Sequence, residues 1–186
     1  MSRLSSLVLA VIAMCLLLAL GFVAARWIEA HAVAQAQSRL YGLLRSNDPR
    51  EREHALWRLA APEHGSADIQ VAVRLLSTDP SVSVRIAAAS AIERWIRRQG
   101  SEHPEEARVV YRHLLQAMTE DDSSDVRAWA SLMSLYVLEA ATCKGASGVS
   151  NSLGVIAAPY LKAALGDTDS DVRENAREAI RLLSAR

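Results

Sequence analysis

The pattern of apolar and polar positions changes near residue 26. From Leu4 to Ala25 the sequence has no charged residue and only two serines, whereas later residues mix apolar and polar side chains. A helix of this length spans the roughly 30 Å hydrocarbon core of a bilayer. The pattern predicts a transmembrane signal-anchor over residues 1–26, a juxtamembrane helix over 27–37 and a helical domain over 38–186.

The N-terminal segment has an alternative interpretation as a cleaved signal peptide. Its apolar run exceeds the about 7 to 15 residues of a signal-peptide core, which favours a retained anchor. Small residues ending at Ala25 or Ala34 keep cleavage and secretion open. Because a signal anchor leaves its short N-terminus in the cytoplasm, we expect a single-pass membrane protein with an extracytoplasmic, periplasmic domain.

The rest of the chain has the periodicity of paired helices. Apolar residues recur at helical spacing, without a convincing alternation of the kind that predicts strands. Glycines and prolines divide this part into short segments. The predicted helix pairs are 35–46 with 49–60, 67–77 with 80–98, 104–119 with 125–141, and 155–165 with 171–184. The fold class is therefore all-α, with hairpins at about 38–61, 66–99, 103–142 and 152–186, and residues 144–154 are predicted to be a flexible connection.

The second helix of each pair carries the same short motif: arginine, two residues, then alanine. The four copies begin at Arg52, Arg85, Arg127 and Arg173, which are 33, 42 and 46 residues apart. This is the range of spacing in which helical hairpins stack into a solenoid. The Asp-Pro pairs at 48–49 and 79–80 predict helix starts, because aspartate caps a helix and proline suits its first position.

The clearest copies are "DPSVSVRIAAASAI", Asp79 to Ile92, and "DSDVRENAREAI", Asp169 to Ile180. They resemble the HEAT family, in particular the short HEAT-like repeats first associated with phycobilin lyases. The resemblance implies an α-solenoid of about four hairpins, with turn aspartates and arginines forming a ladder between repeats. The expected ladder residues are Asp48, Arg52, Asp79, Arg85, Asp125, Arg127, Asp171 and Arg173. A lyase activity is not implied, because no tetrapyrrole-handling motif is visible.

Ion binding and catalysis find little support in the sequence. Three alternating aspartates at 167, 169 and 171 suggest a calcium loop, but its sixth position, which requires glycine, is Val172. The five histidines are scattered, and Cys143 has no evident catalytic partner. We expect no catalytic residue, metal or cofactor. With 21 basic and 21 acidic residues, the chain also lacks the positive field of a nucleic-acid-binding protein.

Large side chains mark a possible binding surface on the second helices. Taking about 100° per residue, the positions two, five and nine residues after each motif arginine lie away from the core. Helix 125–141 is apolar nearly all round, which is expected if neighbouring repeats cover it or if it binds a partner. The residues predicted to bind a partner are Trp57, Arg94, Trp129, Met133 and Tyr136.

These features predict a membrane-anchored scaffold or adaptor, not an enzyme, whose membrane contact is residues 4–25. Resemblance to HEAT solenoids implies that the second helices line a concave face that binds another protein near the membrane. An alternative is a structural subunit or assembly factor of a larger membrane complex, in which the transmembrane helix itself packs against other subunits. A small-molecule site of the lyase type is the third hypothesis.

Overall fold

A computed structural model describes residues 3–59, 66–143 and 147–185, and it describes the side chains of residues 14, 18–59, 68–142 and 152–185. All regular structure in these residues is helical. The helices are α1 (Arg3–Leu44), α2 (Pro49–Leu59), α3 (Ser66–Thr78), α4 (Val82–Gln99), α5 (Pro104–Glu120), α6 (Ser124–Cys143), α7 (Ser147–Ala164) and α8 (Ser170–Ser184). Packing divides the chain into two units, Met1–Gly42 and Leu43–Arg186.

Helix α1 is continuous over 42 residues. It joins the predicted anchor, the juxtamembrane helix and the first helix of hairpin one, because no proline interrupts this part of the chain. Among its described side chains, Leu18, Phe22 and Trp27 are exposed, and Trp27 stacks on His31 with ring centroids 4.3 Å apart.

Within the described ranges, no helix combines enough length with enough apolar side chains to cross a membrane. Most side chains of the predicted span, residues 4–25, lie outside the described set.

Residues Leu43–Arg186 form two layers of helices. Helices α3, α5 and α7 pack on one another in chain order and form the first-helix layer, while α2, α4, α6 and α8 form the second-helix layer in the same way. Within the pairs α3–α4, α5–α6 and α7–α8, the two helices of the hairpin also pack together. Each hairpin therefore covers one side of the next.

The repeat motif accounts for this stacking. The motif alanines Ala55, Ala88, Ala130 and Ala176 are fully buried. A side chain of this size lets helices approach closely, at about 8 to 10 Å between axes. Larger residues fill the space between layers: Tyr111 is fully buried, and its hydroxyl donates a hydrogen bond to the carbonyl oxygen of Ser134 at 3.3 Å.

Two helix starts differ from the sequence prediction. Helix α4 begins at Val82, two residues after Pro80; its N-cap residue is Ser81, whose backbone N–H donates to the Asp79 carboxylate in the turn before the helix. Helix α7 begins at Ser147, so most of the connection predicted at 144–154 is helical; residues 144–146 lie outside the described part of the chain. Burial of Leu153 and Ala157 outweighs the weak helix propensity of the serines and glycines before them.

Candidate functional site

The motif arginine lies in the first turn of each second helix and is hydrogen-bonded to the turn that precedes the helix. In all four repeats, Nη1 of the motif arginine donates a hydrogen bond to the carbonyl oxygen of the residue six positions earlier, at 2.8 to 3.0 Å. The donor and acceptor pairs are Arg52 with Ser46, Arg85 with Asp79, Arg127 with Asp121, and Arg173 with Asp167. The turn and the helix are thereby fixed to one another within every repeat.

The same guanidinium groups also join neighbouring repeats. The Nε and Nη2 atoms of Arg52 donate to both carboxylate oxygens of Asp79 at 2.7 and 2.8 Å. Arg85 binds Asp121 in this way at 2.9 and 2.8 Å, and Arg127 binds Asp167 at 2.8 and 3.1 Å. We call Arg52, Arg85 and Arg127 the ladder arginines. In the last described repeat, Arg173 instead donates to the backbone oxygens of Asp167 and Thr168.

The structure corrects the acidic side of the predicted ladder. Asp79 holds its predicted place, but the other two carboxylates are those of Asp121 and Asp167. Asp125 and Asp171 are instead exposed in the first turns of α6 and α8. Asp48 accepts a hydrogen bond from the backbone N–H of Arg50 at the start of α2.

A constant offset in the sequence identifies the aspartates that were missed. Asp79, Asp121 and Asp167 each lie six residues before the arginine of their repeat, and each accepts the backbone N–H two residues further on at 2.8 to 2.9 Å. Aligning the four motif sequences on their arginines would have identified this position six residues before the arginine. The prediction mixed offsets of two, four and six residues.

Charge pairing shifts the pKa of the three ladder arginines and of Asp167. Side-chain hydrogen bonds to the aspartates raise the pKa of each ladder arginine, against the opposing effect of desolvation. The hydrogen bonds from Arg127 hold the pKa of Asp167 below its ordinary value, again against desolvation. Arg127 and Asp167 are therefore both charged at neutral pH.

A second set of contacts bridges the outer side of the second-helix layer. The guanidinium of Arg94 on α4 lies 4.1 Å from the ring centroid of Trp57 on α2. The indole N–H of Trp129 on α6 donates to Ser90 Oγ on α4 at 2.7 Å, and the Asn175 amide on α8 donates to Ser131 Oγ on α6 at 2.9 Å. Each neighbouring pair of second helices therefore has one bridge of this kind.

The predicted partner-binding residues fall into two groups by exposure. Trp57, Trp129 and Tyr136 are 45%, 37% and 39% exposed, although each is a large aromatic side chain. Met133 is only 6% exposed and belongs to the core, so its placement on the surface is corrected. Met133 lies six residues after Arg127, so the angle does not place it among the positions that face away from the core. Helix α6 is apolar nearly all round, and residue type alone does not separate its buried side from its open side.

Arg94 is partly buried beside Trp57. Desolvation lowers the pKa of its guanidinium, and the nearby Glu93 carboxylate opposes that effect. Its Nε donates to the carbonyl oxygen of Ser90 at 3.1 Å, while Nη2 has no hydrogen-bond partner among the described residues. Its guanidinium stacks on the indole ring of Trp57, so Arg94 lies beside one of the exposed aromatic residues.

An open groove of about 420 Å³ lies between α4, α6 and α8. Its lining combines apolar and acidic side chains and consists of Ile86, Asp125, Ala128, Trp129, Leu132, Asp171, Glu174 and Asn175. Within the part of the chain that the structure describes, no cluster of three histidine, cysteine, aspartate or glutamate side chains could hold a metal ion.

Stacked helical hairpins joined by an arginine–aspartate ladder define an α-solenoid of helical repeats. The chain belongs to the HEAT-repeat family: a family model described as HEAT repeats matches residues 36–135. The predictions of the HEAT-repeat family and of an all-helical solenoid are thus confirmed.

Comparison with other proteins adds a distant structural likeness. A designed armadillo repeat protein is 20% identical in sequence, with a TM-score of 0.48 over 77% of this chain and 63% of that protein. This chain therefore spans less than two thirds of the length of the designed protein. No curated protein matches the sequence significantly.

Proposed function

We propose that this protein is a membrane-anchored scaffold or adaptor that binds another protein through the outer surface of its second-helix layer. The observation that carries the proposal is the exposure of three aromatic side chains on that layer: Trp57, Trp129 and Tyr136. Tryptophan and tyrosine are enriched among the residues that dominate protein–protein binding energy. A helical-repeat fold supports this assignment at the level of an interaction scaffold.

The fixed geometry of two of these aromatic residues supports a binding role. Trp57 is stacked under Arg94, and Trp129 is held by its hydrogen bond to Ser90. Side chains ordered before binding lose less conformational entropy when a partner arrives, which improves affinity. Tyr136 lies seven residues after Trp129 on α6, so the two side chains project from similar sides of the helix.

The proposal is tested by purifying the full-length protein, with its bound partners, from its native membrane. Trp57→Ala, Trp129→Ala and Tyr136→Ala should each reduce the recovery of a specific partner, because they remove exposed aromatic contact area. Val109→Ala is the matched control, since Val109 is 46% exposed but lies on α5 in the first-helix layer. Equal partner recovery from all four variants, with intact circular dichroism spectra, would show that the surface is wrongly assigned.

Membrane attachment is the second part of the proposal, with the repeat domain on the extracytoplasmic side. It is supported by the uncharged sequence from Leu4 to Ala25. Carbonate washing should leave the full-length chain in the membrane fraction and release a variant that lacks residues 4–25. Release of the full-length chain by carbonate would contradict the anchor. Protease added to the exterior of spheroplasts should digest the repeat domain if the proposed orientation is correct.

The proposed function involves no turnover of a substrate. The exposed aromatic and charged side chains on the packed helices support a binding function. The likeness to the repeats of phycobilin lyases extends to the Val-Arg-x-x-Ala motif and supports no tetrapyrrole chemistry in this chain. Purified protein that binds a tetrapyrrole stoichiometrically would favour a small-molecule function instead.

A further inference from the structure

The groove between α4, α6 and α8 is acidic, and its acidic residues are not shared by all four repeats. The position two residues before the motif arginine holds Arg50, Ser83, Asp125 and Asp171 in successive repeats. The equivalent side chain thus changes from basic in repeat one to acidic in repeats three and four. Asp125 and Asp171 line the groove, and Glu174 adds a third carboxylate.

These carboxylates have little compensation from nearby basic groups. No lysine or arginine is among the described residues that line the groove. Glu174 accepts a hydrogen bond from Arg177 at 3.3 Å, but both side chains are exposed, at 77% and 59%, so water screens that pair strongly. The groove therefore presents a negative potential to an approaching molecule.

Apolar side chains lie between the acidic ones. Ile86, Leu132 and the indole of Trp129 are partly exposed and line the groove together. Trp129 is held by its hydrogen bond to Ser90, and Asn175, on the α8 side of the groove, is held by its hydrogen bond to Ser131. An apolar side chain of a partner can bury its surface here, at a gain of roughly 25 cal/mol per Å² removed from water.

We propose that this groove binds a basic segment of a partner protein, in which an apolar side chain is flanked by lysine or arginine. The inference rests on the proposed scaffold function and names the chemistry of its partner. The apolar side chain packs on Trp129 and Leu132, while the flanking cations pair with Asp125, Asp171 and Glu174. Complementary charge of this kind fixes the register of a bound segment and speeds its association.

The test uses the full-length protein in mild detergent and two labelled peptides. One peptide has a central Phe-Leu pair flanked on both sides by lysines, and its twin has glutamate at every lysine. Fluorescence polarisation should show binding of the lysine peptide at least about tenfold tighter than its twin, as expected if about 1.4 kcal/mol arises from the charge pairs. Equal affinity for the two peptides would overturn the proposal.

A control variant with the same change in net charge distinguishes binding in the groove from general electrostatic attraction to the protein. The triple variant Asp125→Asn, Asp171→Asn and Glu174→Gln should weaken binding of the lysine peptide about tenfold. The control variant neutralises three exposed carboxylates outside the groove and consists of Glu102→Gln, Glu105→Gln and Glu120→Gln. Equal loss of affinity in both triple variants would place the binding elsewhere and overturn the inference.

Charge reversal supplies a readout that misfolding cannot imitate. In Asp125→Lys combined with Glu174→Lys, the preference should switch to the glutamate peptide. Retained preference for the lysine peptide would contradict the proposal. If the aromatic variants lose the native partner while the groove variants keep it, the scaffold function stands and the basic-segment inference fails; loss of neither would overturn both.

Discussion

At the scale of single residues, the ladder arginines each join at least three acceptor atoms that belong to two repeats. One nitrogen binds the carbonyl oxygen six residues earlier, and two more bind the carboxylate of the next repeat. The planar guanidinium suits this task because its donors are fixed in a fork that matches a carboxylate. Lysine has one nitrogen and could not hold both repeats in the same geometry.

We expect Arg127→Ala to destabilise the repeat domain by about 3 kcal/mol, because it leaves the carboxylate of Asp167 buried without its cation. The side chains of Arg127 and Asp167 are only 14% and 10% exposed. Urea unfolding of the full-length protein, followed by circular dichroism, measures the change. Arg181→Ala is the control, since Arg181 pairs with Glu178 at the surface. Equal unfolding midpoints in the two variants would contradict a stabilising ladder.

The lowered pKa of Asp167 predicts how stability depends on pH. Its folded pKa lies below the unfolded value of about 3.9, so the ionised group stabilises the fold above that pH. This contribution is lost as the pH falls through the folded pKa. The difference in unfolding free energy between wild type and Asp167→Asn should stay constant from about pH 7 to 5 and shrink below about pH 4. A difference that persists unchanged to about pH 3 would contradict the assignment.

The sequence predicts the arginines of the ladder more easily than their partners. The motif arginines stand in a fixed relation to a buried alanine three residues later, which any self-comparison detects. Asp121 and Asp167 were missed because several aspartates crowd each turn, and their chemistry alone does not say which one faces the previous repeat. Only the distance of six residues from the arginine distinguishes them.

At the scale of elements, the second helices are connected both by the ladder and by bridges on their outer side. The bond from Trp129 to Ser90 is one of these bridges, and it joins α6 to α4 at 2.7 Å. Ser90 is only 4% exposed, and its hydroxyl also donates to the carbonyl oxygen of Ile86. The exposed indole is thereby positioned by an element of the neighbouring repeat.

A double-mutant cycle tests this bridge. Ser90→Ala and Trp129→Phe each remove one partner of the hydrogen bond, and each should cost about 1 kcal/mol of stability. The double variant should cost less than the sum of the two, because the shared bond can be lost only once. Urea unfolding of the four proteins gives the coupling energy. Strictly additive effects would mean that the bond does not contribute to stability in solution.

Some helix boundaries are set by tertiary packing and not by the local sequence. Most predicted second helices agree closely with the structure, since their apolar spacing and their turns are clear. Helix α7 starts at Ser147 although its first residues favour a loop, because burial of Leu153 in the hairpin stabilises a helix that local propensity does not. Helix α1 has no internal stop signal, so the three segments predicted within it form one continuous helix.

At the scale of the whole molecule, the repeat domain combines a regular interior with a varied surface. The motif arginine and alanine recur in each hairpin, whereas the positions of Trp57, Trp129 and Tyr136 hold different residues in the other repeats. Stacked repeats contact only their neighbours, so surface positions can differ without altering the scaffold. We therefore assign the recognition of a partner to the positions that break the repeat.

Site-specific photo-crosslinking in the native membrane tests that assignment most directly. A photoreactive phenylalanine derivative would replace Tyr136 on α6 in the full-length protein, and a second protein would carry it at Val109 on α5. We predict a defined crosslinked partner at position 136 and none at position 109. A crosslink at position 109 alone, or the same partner with equal yield at both positions, would contradict binding through the second-helix layer.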